Sequence, residues 1–285
     1  MKYKEGFPSN QIERADLIDT AFEKADRTLV RDGIKVGEFR DRYSEERIKA
    51  AETYEAECKK RFTTEDDPIQ KQSRQLGRIL EALVHENGEK NNWFGERAFT
   101  TKTADYDDYK HRVDEVVTLR EEEGTARLAL AVDVVSHVNV EAKFAGIFDE
   151  VSAGKLAKVE YFKEETFGDE EPDYIGELQN MPKIIIGVDA STITELAEPW
   201  VDGKNSLLAV HPIQFQLLEE ILLQCQAFEK LATNRHHDMV AEKYRQAGTI
   251  IARVLEERRK AVKDTGRRDS VFEAIKAVTN RLLQE

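Results

Sequence analysis

The chain has 285 residues, a formal net charge of −13, a hydrophobic share of 40% and a charged share of 35%. This is enough apolar material for one core with helical additions. The negative charge opposes nucleic-acid binding, which depends largely on neutralising phosphates, so such binding would need a local basic patch or metal ions. No apolar run approaches the roughly 20 residues that cross a bilayer, which predicts no membrane association.

The first ten residues and the two cysteines indicate in which cellular compartment the protein is located. Residues 1–10 contain no apolar segment typical of a signal peptide. Cys58 and Cys225 lie far apart and have no partner motif, which argues against a disulfide framework or a zinc site. We therefore predict a cytoplasmic protein with reduced thiols.

The N-terminal part is predicted to be helical. Residues 9–62 form a helical pattern that is broken near Gly33 and Gly37. The next segment, 70–85, is strongly amphipathic, and 87–92 is predicted to end it. Its apolar residues recur at helical spacing and are Leu76, Ile79, Leu80, Leu83 and Val84.

The period changes in the middle of the chain, where alternating or continuous apolar runs predict strands. These predicted strands span 98–102, 111–117, 128–135, 156–162 and 183–188. A helix is predicted over 139–153, and the acidic segment 164–182, with Pro172 and Pro182, is predicted to be a loop. The polar segment between the second and third strands contains Gly124 and predicts a hairpin.

The C-terminal part is again predicted to be helical, over 192–201, 212–231, 236–262 and 269–284. The whole pattern predicts an α/β fold with a central mixed β-sheet of about four or five strands, flanking helices and helical extensions at both ends. We predict three regions: an N-terminal helical extension over 1–68, an α/β core over 69–210 and a C-terminal helical region over 211–285.

Two acidic residues lie inside apolar predicted strands. A carboxylate such as Asp114 or Asp133 is costly to bury unless it is paired, hydrogen-bonded or bound to a metal. In a hairpin both side chains would converge at one end of the sheet, and a hard cation, Mg²⁺ or Mn²⁺, would relieve their repulsion. Strand-end acids that cap a neighbour or face solvent remain the alternative. The preceding helix offers Glu81 and Glu86, of which helical geometry slightly favours Glu86, and the segment 105–109 offers a further ligand from a loop.

The order of these elements resembles the core of the PD-(D/E)XK nuclease superfamily. The resemblance covers about 70–190 and is best over 106–114 and 131–135. It implies a helix glutamate, Glu81 or Glu86, that holds Mg²⁺ (or Mn²⁺) together with Asp114 and Asp133. The family's lysine position is occupied by Val135, so Lys143 at the start of the next helix is expected to replace it, unless the nuclease fold is inactive.

The same resemblance implies metal-assisted phosphodiester hydrolysis in which Asp114, Asp133 and Lys143 are catalytic. Contacts to the nucleic-acid backbone are then expected from nearby basic residues, namely Lys102, Lys110, His111 and Arg112. Segments 91–96 and 211–216 also resemble proteins of candidate-phyla bacteria, a likeness that implies no activity.

A second hypothesis is a non-enzymatic interaction protein. It rests on the missing strand lysine, the acidic charge and the long helices at both ends, which would form a homodimer or bind a partner. On this hypothesis Lys143 is a solvated helix lysine, and Glu81 and Glu86 are ordinary surface charges.

Overall fold

The computed structural model describes residues 9–63, 67–120, 127–164 and 174–284. Its helices are α1 Ser9–Asp32, a 3₁₀ helix Val36–Phe39, α2 Glu45–Thr63, α3 Pro68–Lys90, α4 Asp105–His111, α5 Glu141–Ser152, α6 Ala190–Val201, α7 Asn205–Ala209, α8 Ile213–Asn234, α9 Asp238–Ala261 and α10 Ser270–Leu282. Its strands are β1 Ala98–Lys102, β2 Glu115–Arg120, β3 Arg127–Val135, β4 Ala157–Lys163, β5 Ile175–Met181 and β6 Lys183–Gly187. The predicted α/β class with helical ends is confirmed.

The main sheet has the strand order β1-β2-β3-β6. β1, β2 and β3 are antiparallel neighbours, with Thr100 opposite Val117 and Val117 opposite Leu130. β6 is parallel to β3 and places Ile185 opposite Asp133. The sheet is therefore mixed. Because β1 and β2 are antiparallel, the last residue of β1 and the first residue of β2 lie at the same end of the sheet.

Two local predictions for this region are wrong. The strand predicted from residue 111 begins only at Glu115, because residues 105–111 form a helical turn. The predicted loop over 164–182 contains β5, which pairs with β4 in a separate two-stranded antiparallel sheet. The residues between Glu164 and Tyr174 lie outside the described part of the chain.

Helix α3 begins as predicted but extends further. The side chain of Asp67 accepts a hydrogen bond of 3.1 Å from the Ile69 backbone N–H, which caps the helix before Pro68. The helix then continues through Asn87 and Gly88 to Lys90. Gly88 is needed there because a Cβ atom would lie 2.4 Å from a Thr100 methyl group, so α3 packs directly on β1.

One main core joins the sheet to helices from both ends of the chain. It extends from Ala21 in α1 to Val278 in α10 and includes the apolar stripe of α3. The apolar faces of the terminal helices are therefore packed within the chain.

The outer edge of β6 is closed by side chains rather than by another strand. The amide of Gln224 accepts from the Ile185 N–H at 2.9 Å and donates to the Ile185 carbonyl at 2.6 Å. Glu220 accepts from the Gly187 N–H, and burial raises the pKa of Glu220 well above its ordinary value. Helix α8 thus satisfies backbone groups that an edge strand would otherwise leave open.

Across the described ranges, no helix combines the length and the apolar character that crossing a membrane requires.

Candidate metal centre

Three carboxylates from three different elements meet at one end of the main sheet. Glu81 of α3, Asp108 of α4 and Asp114, just before β2, each offer an oxygen within 4.8 Å of the other two. Helix α4 ends at Arg112, whose left-handed backbone (φ 53°) turns the chain into β2. We call Glu81, Asp108 and Asp114 the carboxylate cluster.

Lys102, the last residue of β1, places its ammonium group within this cluster. Its Nζ atom lies 2.6 Å from Glu81 Oε1 and 3.6 Å from Asp108 Oδ2, and it donates to the Asp114 carbonyl at 3.1 Å. Burial lowers the pKa of Lys102, but the surrounding carboxylates outweigh burial and raise it above its ordinary value. The Lys102 residue is 1% exposed, so the prediction that it contacts a nucleic-acid backbone is wrong.

Arg78 adds a second cation, 3.4 Å from Glu81 Oε2, but the burial of the three carboxylates still disfavours their charged forms. Burial raises the pKa of Asp108 well above its ordinary value; Lys102 opposes this, and the charges of Asp114 and Glu81 add to it. Burial likewise raises the pKa of Glu81, although Lys102 again counteracts the shift. Repulsion of this kind is relieved by a hard cation, and carboxylate oxygens are the donors that Mg²⁺ and Mn²⁺ prefer. The residues present therefore fit such an ion.

Asp114 is held in place by the neighbouring strand. Its Oδ2 atom accepts a hydrogen bond of 2.6 Å from the Val134 backbone N–H of β3. The register of β2 and β3, in which Glu115 faces Val132, brings Asp114 next to Asp133. This hydrogen bond fixes the Asp114 side chain within the cluster, where it also interacts with Asp108.

Asp133 and Lys143 form an ion pair beside the cluster, with Lys143 reaching back from α5. Asp133 is 3% exposed; burial, helped by the charge of Asp114, raises its pKa to about 6. Burial lowers the pKa of Lys143, but Asp133 and Asp114 raise it above its ordinary value overall. The structure therefore brings Asp114, Asp133 and Lys143 together. Asp133 lies beside the carboxylate cluster but is not one of its three members.

Glu86 lies elsewhere, and the expectation that geometry favours it over Glu81 is wrong. Its Oε2 atom accepts from the indole N–H of Trp200 at 2.7 Å, and its Oε1 atom accepts from Lys90 at 3.0 Å. The two glutamates are five residues apart, so at about 100° per residue they point to different sides of α3.

The residue that sequence reasoning did not single out is Asp108. The segment 105–109, expected to be a loop, is part of α4, and its three aspartates have different tasks. Asp105 pairs with Lys59 at 2.5 Å, and Asp107 accepts from the backbone N–H groups of Glu160 and Tyr161 at 2.7 and 3.0 Å. Of the three aspartates, Asp108, three residues after Asp105, is the one whose side chain lies in the carboxylate cluster.

The remaining predicted contacts line a cavity of about 520 Å³ that borders Asp133 and Lys143. Lys110 and His111 lie 3.1 and 3.2 Å from Glu160 Oε1, and Arg112 lines the same cavity. Three of the four basic residues predicted to meet nucleic acid are therefore placed together next to Asp133.

Comparisons of the chain with protein-family models, characterised proteins and solved structures gave no match. A function for this chain therefore rests on the chemistry of the site.

Proposed function

We propose that the protein is a Mg²⁺- or Mn²⁺-dependent nuclease that hydrolyses phosphodiesters at the carboxylate cluster. The observation that carries the proposal is the convergence of Glu81, Asp108 and Asp114 beside the Asp133–Lys143 pair. Two helices and the residue before β2 supply the three acids. Glu81 is buried and the other two are half-buried, so their gathering is costly unless cations offset their repulsion. Asp133, whose pKa is raised by burial, lines the neighbouring cavity, and perturbed carboxylates beside cavities are typical of functional sites.

The order of elements supports the same proposal. The sequence α3-β1-β2-β3-α5-β6 follows the order that the nuclease resemblance implies, with α4 and the β4–β5 hairpin as additions. Glu81 on α3, Asp114 just before β2 and Asp133 on β3 support the proposal, although Asp133 lies outside the carboxylate cluster. The departure is Val135, which is buried in the main core where the family has its lysine.

Each residue has a role consistent with its position. When bound, the ion would lower the pKa of a water molecule and polarise the phosphate. Glu81, Asp108 and Asp114 would hold the ion, and the Val134 N–H keeps Asp114 in position. Lys143 is partly exposed and faces the cavity, so its ammonium group would orient the attacking water or balance the charge that develops on the phosphate.

A second candidate function, an interaction protein without catalysis, is favoured by one observation. Lys102 already places a buried positive charge 2.6 Å from Glu81, as a residue that replaces a lost metal would. A chain that binds no divalent cation and cleaves no nucleic acid would fit this alternative. The predicted homodimer stays a prediction, which light scattering would test.

The cytoplasmic location is also part of the proposal. Cys58 and Cys225 are both free and buried, as expected for a reducing compartment.

The experiment is a cleavage assay with single- and double-stranded DNA and RNA in Mg²⁺, Mn²⁺ or EDTA. We expect cleavage only with metal, and loss of at least about 100-fold in rate for Asp114→Asn, as for removal of a key electrostatic group. The matched control is Asp149→Asn, an exposed aspartate on α5. Cleavage that persists in EDTA, or that Asp114→Asn leaves unchanged, would refute the proposal.

A further inference from the structure

The cavity next to Asp133 is lined by more basic than acidic side chains. Among the residues that the structure describes, the acidic side chains that line it are Asp133 and Glu150. Six cationic side chains do so: Lys110, Arg112, Lys143, Lys155, Lys158 and Lys183. In a chain with a net charge of −13, this concentration of cations indicates an anion-binding site.

Part of this charge is balanced within the protein and part is not. Lys110 and Lys158 both lie near Glu160, at 3.1 and 3.5 Å, and Lys183 donates to the His111 carbonyl at 2.7 Å. Arg112 and Lys155 form no ion pair with any residue that the structure describes. These two side chains therefore leave charge available for a ligand.

The walls of the cavity favour phosphate over a base. None of its described lining residues is Phe, Tyr or Trp, and the one aromatic ring among them, His111, is held by Glu160 at 3.2 Å. The rest of the uncharged lining consists of the polar Asn180 and of small or aliphatic residues such as Gly146, Ile147, Gly154 and Leu156. A volume of about 520 Å³ holds a small ligand and excludes a duplex.

We propose that this cavity binds the terminal phosphate of a nucleic-acid strand, with Arg112 and Lys155 as its principal contacts. A terminal monoester carries about −1.5 to −2 charges at neutral pH and three acceptor oxygens, more than an internal diester, so it gains most from this surplus of cations. The inference rests on the proposed nuclease function, which it deepens by directing cleavage to phosphorylated ends near Asp133 and Lys143.

The test measures binding in EDTA, where no cleavage is needed. Fluorescent single strands of one sequence carry a 5′-phosphate, a 3′-phosphate or only hydroxyl ends, and anisotropy gives each Kd. We expect one phosphorylated strand to bind about tenfold more tightly than the hydroxyl strand, equal to about 1.4 kcal/mol. The double variant Arg112→Asn/Lys155→Gln should lose this preference. Asparagine tolerates the left-handed backbone of residue 112.

The control is Lys263→Gln, an exposed lysine after α9 that should keep the preference. Circular dichroism establishes that each variant is folded. Equal binding of all three strands, or a preference that survives in the double variant, would overturn the inference. A strand preference without any metal-dependent cleavage would support the phosphate site and refute the nuclease.

Discussion

The Nζ atom of Lys102 lies 2.6 Å from the Oε1 atom of Glu81, and the two residues are only 1% and 7% exposed. A buried ammonium group is tolerated at the end of β1 because Asp108 and the Asp114 carbonyl also surround it. The cluster thus contains its own cation. A divalent ion that binds there shares the carboxylates with Lys102.

Replacing this lysine should destabilise the metal-free protein. In Lys102→Met the three carboxylates lose a deeply buried counter-charge and keep the less buried Arg78, and we expect a loss of about 3–5 kcal/mol in the free energy of unfolding. Urea unfolding in EDTA measures it, with the exposed Lys49→Met as control. Mn²⁺ should restore part of the loss, because an ion that binds only the folded state stabilises it. A variant as stable as the wild type would show that Lys102 does not balance the cluster.

The two glutamates of α3 should behave differently. Glu81→Gln removes a cluster carboxylate and should raise the Mg²⁺ concentration for half-maximal cleavage by about tenfold or more. Glu86→Gln keeps an acceptor for the Trp200 indole and should leave that concentration unchanged. A metal titration of the cleavage rate measures both. The reverse pattern would restore Glu86 as the ligand.

Asp133 should make stability depend on pH. Its pKa rises from 3.8 to about 6 on folding, so between these values the folded chain keeps a proton that the unfolded chain releases. The contribution of Asp133 to the free energy of unfolding therefore falls as the pH rises from about 4 to about 6. The expected fall is about 3 kcal/mol, at about 1.36 kcal/mol per pH unit. The Asp133→Asn variant should not show this loss of stability between about pH 4 and 6. Burial also raises the pKa of Asp107 to about 6, but Asp107 is present in the wild type and in the variant and contributes equally to both. Parallel urea–pH curves for the two proteins would contradict this assignment.

The closed edge of β6 should depend on Gln224. In Gln224→Leu both the N–H and the C=O of Ile185 lose their partner, which should cost about 1–3 kcal/mol for each unsatisfied group. Gln226→Leu, on the exposed side of the same helix, is the control. Chemical denaturation compares the two variants. Equal stability would mean that the edge finds other partners.

Periodicity predicted most helices and strands because each repeats a pattern over many residues. The apolar stripe from Leu76 to Val84 and the alternation from Leu128 to Val134 both lie where local spacing placed them. Helix α4 was missed because its seven residues are too few for a helical pattern to emerge. The β5 strand was missed because its segment reads as an acidic loop between two prolines.

Which charged side chains meet at the site depends on tertiary contacts, which the local sequence does not reveal. Asp114 and Asp133 were singled out because acidic residues in apolar strands are conspicuous, and Lys143 was singled out through the nuclease resemblance. Nothing in the local sequence indicates that Glu86 meets Trp200, which is 114 residues away, or that Lys102 turns inward.

The most direct test of the central claim is a Mn²⁺ titration followed by electron paramagnetic resonance, with the wild type and Asp114→Asn compared at neutral pH. Asparagine keeps an acceptor for the Val134 N–H, so the variant removes mainly the negative charge. We predict that the wild type binds about one Mn²⁺ per chain, as one carboxylate cluster allows, and that Asp114→Asn binds it at least about tenfold more weakly. A wild type that leaves all Mn²⁺ free, or a variant with unchanged affinity, would contradict the metal centre.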